Sequence, residues 1–277
     1  MTRARSTSIG RLLAGPNGDA RWNNLGYWPG ADDYPSACRA LARLHGEAAG
    51  LMPGDRVLEL ACGHGAALTL WRDEFQVGAL GALDIRDACI ASLLASQPVD
   101  RLSLARGRFD LPLPPPLAGR QFDAVLCVDA AYHARSLEAF VTTSTEALAP
   151  GGRLAFTTLV RTSGEAPRSG LREAARSMVL GLAAISPASL VSEAALRTIV
   201  AARGLAVLDV RELTPAVFPG FAAWVARRAG TLSWRQRCSP AWLKIASTAR
   251  LCRRWSHSGP LAYVLVSARR VSARDSR

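Results

Sequence analysis

Residues 57–68 read VLELACGHGAAL, an apolar run that breaks into Gly-x-Gly and continues as a helix-like segment. A strand that runs into Gly63 and Gly65 at the start of a helix lets backbone N–H groups approach a ligand closely, because glycine has no Cβ. An ordinary tight turn between a strand and a helix has the same pattern. The motif therefore indicates a nucleotide site only together with its neighbours.

Two acidic residues support such a site. Asp84 ends the next predicted strand, about twenty residues past the glycines, where an acid can accept hydrogen bonds from both ribose hydroxyls. NAD and S-adenosylmethionine (SAM) both suit that arrangement. Two residues distinguish the two cofactors. Leu68 stands where a dinucleotide site has a third glycine. The carboxylate of Glu59 at the turn would repel the pyrophosphate of NAD but attract the ammonium and sulfonium of SAM. The acids favour SAM.

Apolar strand-like runs alternate with helix-like segments from about residue 34 onward. The strand FDAVLCVD at 122–129 is followed by a helix, a turn at APGG (149–152) and the strand RLAFTTLV at 153–160. Near-continuous apolar strands, each followed by a helix, predict a parallel sheet with helices on both faces. The last strong strand, LAYVLVSARRV at 261–271, comes so late that we expect it to lie antiparallel to an earlier one.

The positive charge of the chain is concentrated at one end. Of the net charge of +12, residues 226–277 carry +11, with twelve Arg or Lys against Asp275. Four residues of this region have helical spacing and predict a helix that docks on the core and leaves its charges in water: Trp242, Ile245, Ala249 and Cys252. The alternative is a surface that attracts an anionic bilayer, an acidic carrier protein or a carboxylate-bearing acyl substrate. Because no recognition motif accompanies the charge, nucleic acid is not expected as a partner.

Cysteine usage and hydropathy predict the compartment. The six cysteines form no CxxC pair and no histidine lies at ligand spacing, which indicates a reducing environment and no metal site. The longest uncharged apolar stretch, residues 178–191, is too short to span a bilayer, and the N-terminus has no apolar signal region. We therefore expect a cytoplasmic protein, peripheral to the inner membrane surface if the basic region binds lipid. His45 and His257, in polar helical surroundings, are expected to face solvent.

Four motifs occur in the order and spacing of class I SAM-dependent methyltransferases, which the chain resembles over residues 50–160. They are E-x-x-C-G-x-G at 59–65, the aspartate at the end of the second strand, FDAV at 122–125 and L-x-P-G-G at 148–152. More narrowly, NLGYW at 24–28, VDAAYH at 128–133 and the ending LAYVLVSARR are similar to bacterial small-molecule methyltransferases that modify natural products, sugars and lipids.

The resemblance implies one α/β domain over residues 1–277 with SAM as its cofactor. Its Rossmann-like sheet would have seven mostly parallel strands, an antiparallel last strand and helical lid insertions. Residues 1–49 would form an N-terminal lid segment and 50–160 the SAM-binding core. Residues 161–277 would hold a lid insertion, the remaining strands and the basic C-terminal region.

The resemblance also implies which residues hold the cofactor. Four would line the methionine moiety: Glu59, Cys62, Gly63 and Gly65. Asp84 would bind the ribose and Ile85 would lie against the adenine, while Tyr27 and Trp28 would close over the cofactor. The family has a Gly-Asp-Ala-like triplet after the third strand, and here Gly107, Arg108 and Phe109 replace it. The adenine contact is then either apolar, through Phe109, or made by Asp110.

His133 is the candidate general base. It follows the fourth strand, at the edge where open α/β sheets bind ligands, and an imidazole suits proton removal near neutrality. The alternative is that His133 only fills the lip of the sheet. Asp129, four residues earlier, would orient His133 or face the cofactor amine.

These features predict O-methylation of a small apolar acceptor, either a fatty-acid carboxyl or a secondary-metabolite hydroxyl. Acceptor contacts are expected from the N-terminal segment, an insertion at 165–190 and residues 218–224. N- or C-methylation stays open, because the cofactor site is indifferent to acceptor chemistry. The further alternatives are an RNA- or protein-directed methyltransferase and a nonenzymatic relative that binds SAM.

Overall fold

The computed structural model describes residues 9–15, 18–96, 102–162, 180–181, 185–257 and 259–271. Its strands are β1 (Arg56–Leu60), β2 (Ala79–Asp84), β3 (Leu102–Arg106), β4 (Phe122–Cys127), β5 (Leu148–Arg161), β6 (Val191–Ser192), β7 (Leu205–Glu212) and β8 (Leu261–Arg270). Its helices are α1 (Ile9–Ala14), α2 (Tyr34–Ala48), α3 (Ala66–Asp73), α4 (Asp87–Ser96), α5 (Leu137–Ala147), α6 (Glu193–Ala201), α7 (Thr214–Ala229), α8 (Trp234–Arg237) and α9 (Pro240–Trp255).

The strands form one mixed sheet in the order β3-β2-β1-β4-β5-β8-β7, with β6 paired to the end of β5. Strands β1 to β5 are parallel, and β8 runs antiparallel to both β5 and β7. This confirms the predicted Rossmann-like sheet and its antiparallel last strand, with the two-residue β6 in addition to the seven expected strands. The strand order reverses between β1 and β4, and open α/β sheets bind ligands at the carboxyl ends of strands at such a point.

Strand β5 corrects one predicted boundary. The APGG segment was predicted as a turn before the strand, yet β5 already begins at Leu148, which pairs with Phe122. The register shifts between Phe122 and Ala124, where Ala124 pairs with Arg153. A bulge of this kind takes up extra residues on one strand, and Gly151 provides the left-handed conformation with a φ of 74°. The strand therefore continues through the glycines.

Helices cover both faces of the sheet. On one face α2, α3, α7 and α9 share a core cluster, and on the other face α5 and α6 pack on the strands. His45 of α2 is fully buried, with Nδ1 2.8 Å from the Leu41 carbonyl oxygen and Nε2 3.3 Å from Thr157 Oγ1. The expectation that His45 faces solvent is wrong, because this side of α2 packs on β5. Burial lowers the pKa of His45 to about 4.

Two further predictions concern helices. Among the described residues, none of the helices combines the length and the apolar character needed to cross a bilayer. The predicted helical insertion at 165–190 falls largely outside the described residues, which include only 180–181 and 185–190 of it.

Candidate cofactor and acceptor site

The turn after β1 is fixed by two glycines in the left-handed conformation. Gly63 has a φ of 58° and Gly65, the N-cap of α3, has a φ of 73°. A Cβ on Gly65 would lie 2.3 Å from Leu93 Cδ2, so a larger residue does not fit there. The carbonyl of Cys62, which precedes both glycines, accepts a hydrogen bond from the Gly65 N–H at 3.0 Å and closes the turn. The turn thus brings bare backbone to the start of α3, as the sequence predicted.

Glu59 lies at the cavity wall beside this turn and is 3% exposed. One oxygen, Oε2, accepts a hydrogen bond from Trp71 Nε1 at 2.8 Å. Burial raises the pKa of Glu59 to about 8, and Asp84 adds to this while the indole hydrogen bond opposes it. No salt bridge to Glu59 is formed within the described part of the chain. A buried carboxyl of this kind suits the ammonium or sulfonium of a bound ligand.

Asp84 ends β2 next to Glu59 and is also 3% exposed. Its Oδ2 accepts a hydrogen bond from the Gly63 N–H at 2.8 Å, and its Oδ1 accepts from the Arg86 N–H and Nε, both at 2.9 Å. Burial raises the pKa of Asp84, but the hydrogen bonds and charge of Arg86 outweigh it, so the pKa lies below its ordinary value. A ribose diol bound here would have to replace the guanidinium of Arg86, whose side chain is 46% exposed.

The adenine end is apolar. Ile85 and Phe109 line the cavity, whereas Arg108 and Asp110 do not. Asp110 is buried and accepts a hydrogen bond from Arg108 Nη2 at 2.7 Å, and Arg135 Nε lies 3.4 Å from the same carboxylate. Its role as the adenine acid is therefore wrong in this arrangement, because two arginines hold it away from the cavity. The apolar alternative through Phe109 fits.

The N-terminal segment reaches the cavity through residues other than those expected. Tyr27 and Trp28 do not line it, which corrects their predicted place over the cofactor. The Tyr27 N–H donates to the Ala37 carbonyl and that of Trp28 to the Ala216 carbonyl, which ties both to helices. Trp28 then packs on Trp224, with ring centroids 5.8 Å apart. In their place, residues 21–25 of the same segment line the cavity, with Trp22 and Leu25 as its apolar side chains.

Asp129 joins four segments at the floor of the cavity. It has a φ of 56°, and its N–H donates to Thr157 Oγ1 at 2.8 Å. Its carboxylate accepts hydrogen bonds from the Leu25 N–H at 2.7 Å, the Tyr132 hydroxyl at 2.8 Å and the Tyr263 hydroxyl at 2.7 Å. Burial raises the pKa of Asp129 to about 6, although these three donors lower it. Asp129 thereby holds the N-terminal segment against the sheet.

His133 lines the same cavity from a 3₁₀ turn that follows β4. Its N–H donates to the Ala130 carbonyl at 2.9 Å, and its ring lies against Tyr132 with centroids 4.4 Å apart. The structure therefore brings the predicted base together with Glu59, Asp84 and Asp129. His64, between the two glycines, lies 3.8 Å from the Cys89 thiol.

Helix α9 forms the opposite wall and has three distinct faces. Its buried face consists of the four residues with helical spacing, as predicted: Trp242, Ile245, Ala249 and Cys252. Its cavity face also has helical spacing and consists of Lys244, Thr248, Leu251 and Trp255, and two residues of the buried face, Ile245 and Cys252, line the cavity as well. Its outer face is exposed: Leu243, Ser247, Arg250 and Arg254. The sequence predicted the docking of this helix but not its place at the cavity.

The cavity has a volume of about 540 Å³, within the range of small-molecule sites. It runs from the glycine turn to an apolar chamber lined by Phe218 and Phe221 of α7. Both residues belong to the range 218–224 that was expected to contact the acceptor. The fit to SAM rests on three features of the sheet end: bare backbone at Gly63, a buried carboxyl at Glu59 and a second one at Asp84.

Comparisons with known proteins identify the family of the chain. A family model for a methyltransferase domain matches residues 32–210, more than half of the chain. A curated relative, erythromycin 3''-O-methyltransferase of Saccharopolyspora erythraea, is 34% identical over 139 residues, which cover 48% of this chain and 44% of the relative. The match therefore spans less than half of the relative's length.

Solved structures share the fold at low identity. A mycolic acid cyclopropane synthase, CmaA1, complexed with SAH and CTAB, is 16% identical with a TM-score of 0.72, over 94% of this chain and 93% of that one. The [4+2]-cyclase SpnF is 20% identical with a TM-score of 0.67, over 90% of this chain and 87% of that one. At these identities the likeness concerns the fold, whereas the family match and the cofactor turn together show that the chain belongs to the SAM-dependent methyltransferases.

Proposed function

We propose that the protein transfers the methyl group of SAM to an oxygen atom of a small, largely apolar acceptor. The observation that carries the proposal is a single cavity that is lined by the cofactor turn, by His133 and by the apolar side chains of a chamber. A cofactor at the turn and an acceptor in the chamber would meet at that residue. Because methyl transfer is an in-line displacement, holding the reacting atoms in line supplies much of the acceleration.

The residues of the sheet end would bind and orient the cofactor. SAM, when bound, supplies an electrophilic methyl group on a sulfonium. Glu59 would balance positive charge, Asp84 would bind the ribose hydroxyls, and Ile85 with Phe109 would contact the adenine. Cys62, Gly63 and Gly65 would border the methionine moiety, and Asp129 would keep Leu25 in place over it. The apolar wall of α7 and α9 would exclude water from the acceptor.

His133 would accept the proton of the acceptor hydroxyl while the oxygen of that hydroxyl bonds to the methyl carbon. A hydroxyl needs such a base, since it must lose its proton during the transfer. The curated relative is named for O-methylation, which supports oxygen as the nucleophile. Nitrogen and carbon acceptors are the alternative outcomes of the experiment below, because the cofactor site does not depend on the acceptor.

The first experiment measures ligand binding by calorimetry with S-adenosylhomocysteine (SAH) and, separately, with NAD. We expect SAH to bind and NAD not to bind. The reverse result would remove the cofactor assignment.

The second experiment screens acceptors with methyl-labelled SAM and mass spectrometry. Labelled product should carry the methyl group on oxygen, and a label found only on nitrogen or carbon would contradict the proposal. For a hydroxyl acceptor, His133→Ala should lower kcat about 100-fold. His257→Ala, an exposed histidine, is the matched control. Unchanged turnover in His133→Ala would remove His133 as the base.

The basic C-terminal region supports a peripheral contact with an anionic bilayer. On the outer face of α9, Leu243 is 55% exposed beside Arg250 and Arg254, and Trp234 of α8 is 66% exposed next to Arg235. Interleaved arginines and exposed apolar side chains favour a lipid surface, where each arginine adds about 1 kcal/mol. A bilayer at this face would lie beside the wall of the acceptor chamber.

Vesicle co-sedimentation tests this contact. Vesicles of phosphatidylcholine with phosphatidylglycerol should bind the protein at low salt, and vesicles of phosphatidylcholine alone should not. The double variant R250Q/R254Q should bind more weakly, whereas R197Q/R203Q, with exposed arginines near α6, should bind like the wild type. Absence of binding to the anionic vesicles contradicts the bilayer contact, and binding to an acidic carrier protein instead would identify the other partner.

A further inference from the structure

We propose that the acceptor is an amphiphile with an anionic group, which binds Lys244 at the rim of the cavity, away from the atom that is methylated. This inference rests on the proposed function, because it names the chemical class of the acceptor at the same cavity.

Lys244 is the only lysine in a chain whose other cationic residues are arginines. It is exposed, and it stands on the cavity face of α9. Two arginines also line the cavity, Arg21 with an acidic partner of its own and Arg86 at the cofactor end. Arg21 lies 2.8 Å from Asp19, and Arg86 lies 2.9 Å from Asp84. Within the described ranges, no carboxylate forms a salt bridge with Lys244, so its charge is available to a ligand.

The charges of the cavity are separated by an apolar wall. Three acids lie at the sheet end: Glu59, Asp84 and Asp129. Apolar side chains, among them Phe221 and Leu251, line the chamber toward Lys244. An anionic group beside Asp129, whose partners are hydroxyl and N–H groups, would be repelled by its carboxylate, and at the rim it would be attracted by the ammonium. A ligand that matches this pattern has an apolar body and an anion at its outer end.

Helix α9 sets the length of that body. Lys244 and Cys252 both line the cavity. Lys244 precedes Cys252 by eight residues on the same helix, so the cavity extends for about 12 Å along the helix axis. A ligand with its anion at the exposed Lys244 therefore has room for an apolar body of about this length. Of the two predicted acceptors, a hydroxyl remote from the acid group fits such a body, and the fatty-acid carboxyl itself does not.

The test uses two probes that differ at one end, 10-hydroxydecanoate and 1,10-decanediol. Their affinities are measured by calorimetry with SAH present. We expect the wild type to bind the acid about fivefold more tightly than the diol, as for one partly exposed charge pair. Lys244→Met should abolish the difference, Lys244→Arg should keep it, and Arg250→Met on the outer face of α9 should leave it unchanged.

A second measurement needs no variant. Reductive methylation with ¹³C-formaldehyde labels the single lysine and the terminal amine while keeping their charge. The lysine signal should shift when 10-hydroxydecanoate is added and stay in place with the diol. Equal affinity of the wild type for both probes, a preference that survives in Lys244→Met, or a lysine signal that does not respond to the acid would each overturn the inference.

The outcome is separable from that of the proposed function. SAH binding is measured on every variant without a probe, and Lys244 lies outside the cofactor end. Normal SAH binding with no Lys244-dependent preference for the acid would overturn only the anionic acceptor. A wild type that binds no SAH would overturn the proposed function itself.

Discussion

The two ends of the cavity are assembled in different ways. At the cofactor end, the decisive contacts join residues close in sequence: Trp71 binds Glu59 across 12 positions and Gly63 binds Asp84 across 21. Where the cofactor end meets the acceptor chamber, Asp129 is held by the Leu25 N–H and the Tyr263 hydroxyl, 104 and 134 positions away. The cofactor end is thus a local motif, whereas the acceptor chamber depends on how distant segments pack. Four substitutions test this contrast.

The largest effect is expected at the glycine turn. Gly65→Ala must adopt a φ of 73° and place its Cβ against Leu93, while Gly119→Ala, at a φ of 71°, meets open space. Left-handed backbone alone costs about 1–2 kcal/mol and overpacking a further 1–3. We expect a loss of about 4 kcal/mol in the free energy of unfolding for Gly65→Ala and about 1.5 for Gly119→Ala, measured by urea denaturation. Equal losses would show that the contact with Leu93 is not decisive.

The acceptor wall gives the next largest effect. Ile245→Ala empties a site on the buried face of α9 and should lower the free energy of unfolding by about 2–3 kcal/mol. Leu243→Ala, on the exposed outer face of the same helix, should change the free energy of unfolding by less than about 0.5 kcal/mol. Urea denaturation of both variants, with SAH calorimetry, checks this. If Ile245→Ala also weakened SAH binding strongly, the two ends of the cavity would be coupled and the contrast would fail.

A smaller effect is expected when the ribose carboxylate is removed. Asp84→Asn should weaken SAH binding by about 2 kcal/mol, or about thirtyfold, as for a lost charge-assisted hydrogen bond. The control Asp123→Asn breaks a surface ion pair with Arg56 at the amino end of the sheet and should leave SAH affinity unchanged. Calorimetry at a fixed pH separates the two variants. A similar affinity in both would mean that Asp84 does not contact the cofactor.

The smallest effect is the proton linkage at Glu59. Burial holds its pKa at about 8, so the carboxyl is largely protonated in the free protein at neutral pH. A cationic ligand favours the charged form, so SAM binding at pH 7 should release a proton. Calorimetry in buffers of different ionisation enthalpy measures this release, and Glu59→Gln should remove it. Release that persists in the variant would locate the titrating group elsewhere.

The same group affects stability in the absence of ligand. Its folded pKa is raised above the ordinary 4.5, so its stabilising contribution is fully present below about pH 4.5 and is lost as the pH rises through about 8. Glu59→Gln should therefore show a weaker fall in stability over this range than the wild type.

Much of the sheet could be predicted because its signals are local. The strand runs, the helix spacing and the glycines of β1 to β4 depend on neighbouring residues, and the expected antiparallel direction of β8 is confirmed. The APGG turn was wrong because a bulge against Phe122, a partner outside the segment, extends β5. His45 was wrong for a similar reason, since β5 covers its side of α2.

The amino-acid sequence by itself determined the family and the glycine turn, and it placed Glu59, Asp84 and His133 at strand ends that line one cavity, because these signals depend on neighbouring residues. The tertiary structure decided that Trp22 and Leu25 line the cavity in place of Tyr27 and Trp28. It also decided that two arginines pair with the carboxylate of Asp110 and that Lys244 lies on the cavity face of α9. Each of these depends on which face of an element meets a distant partner, and periodicity shows that a helix has faces without showing what each face contacts.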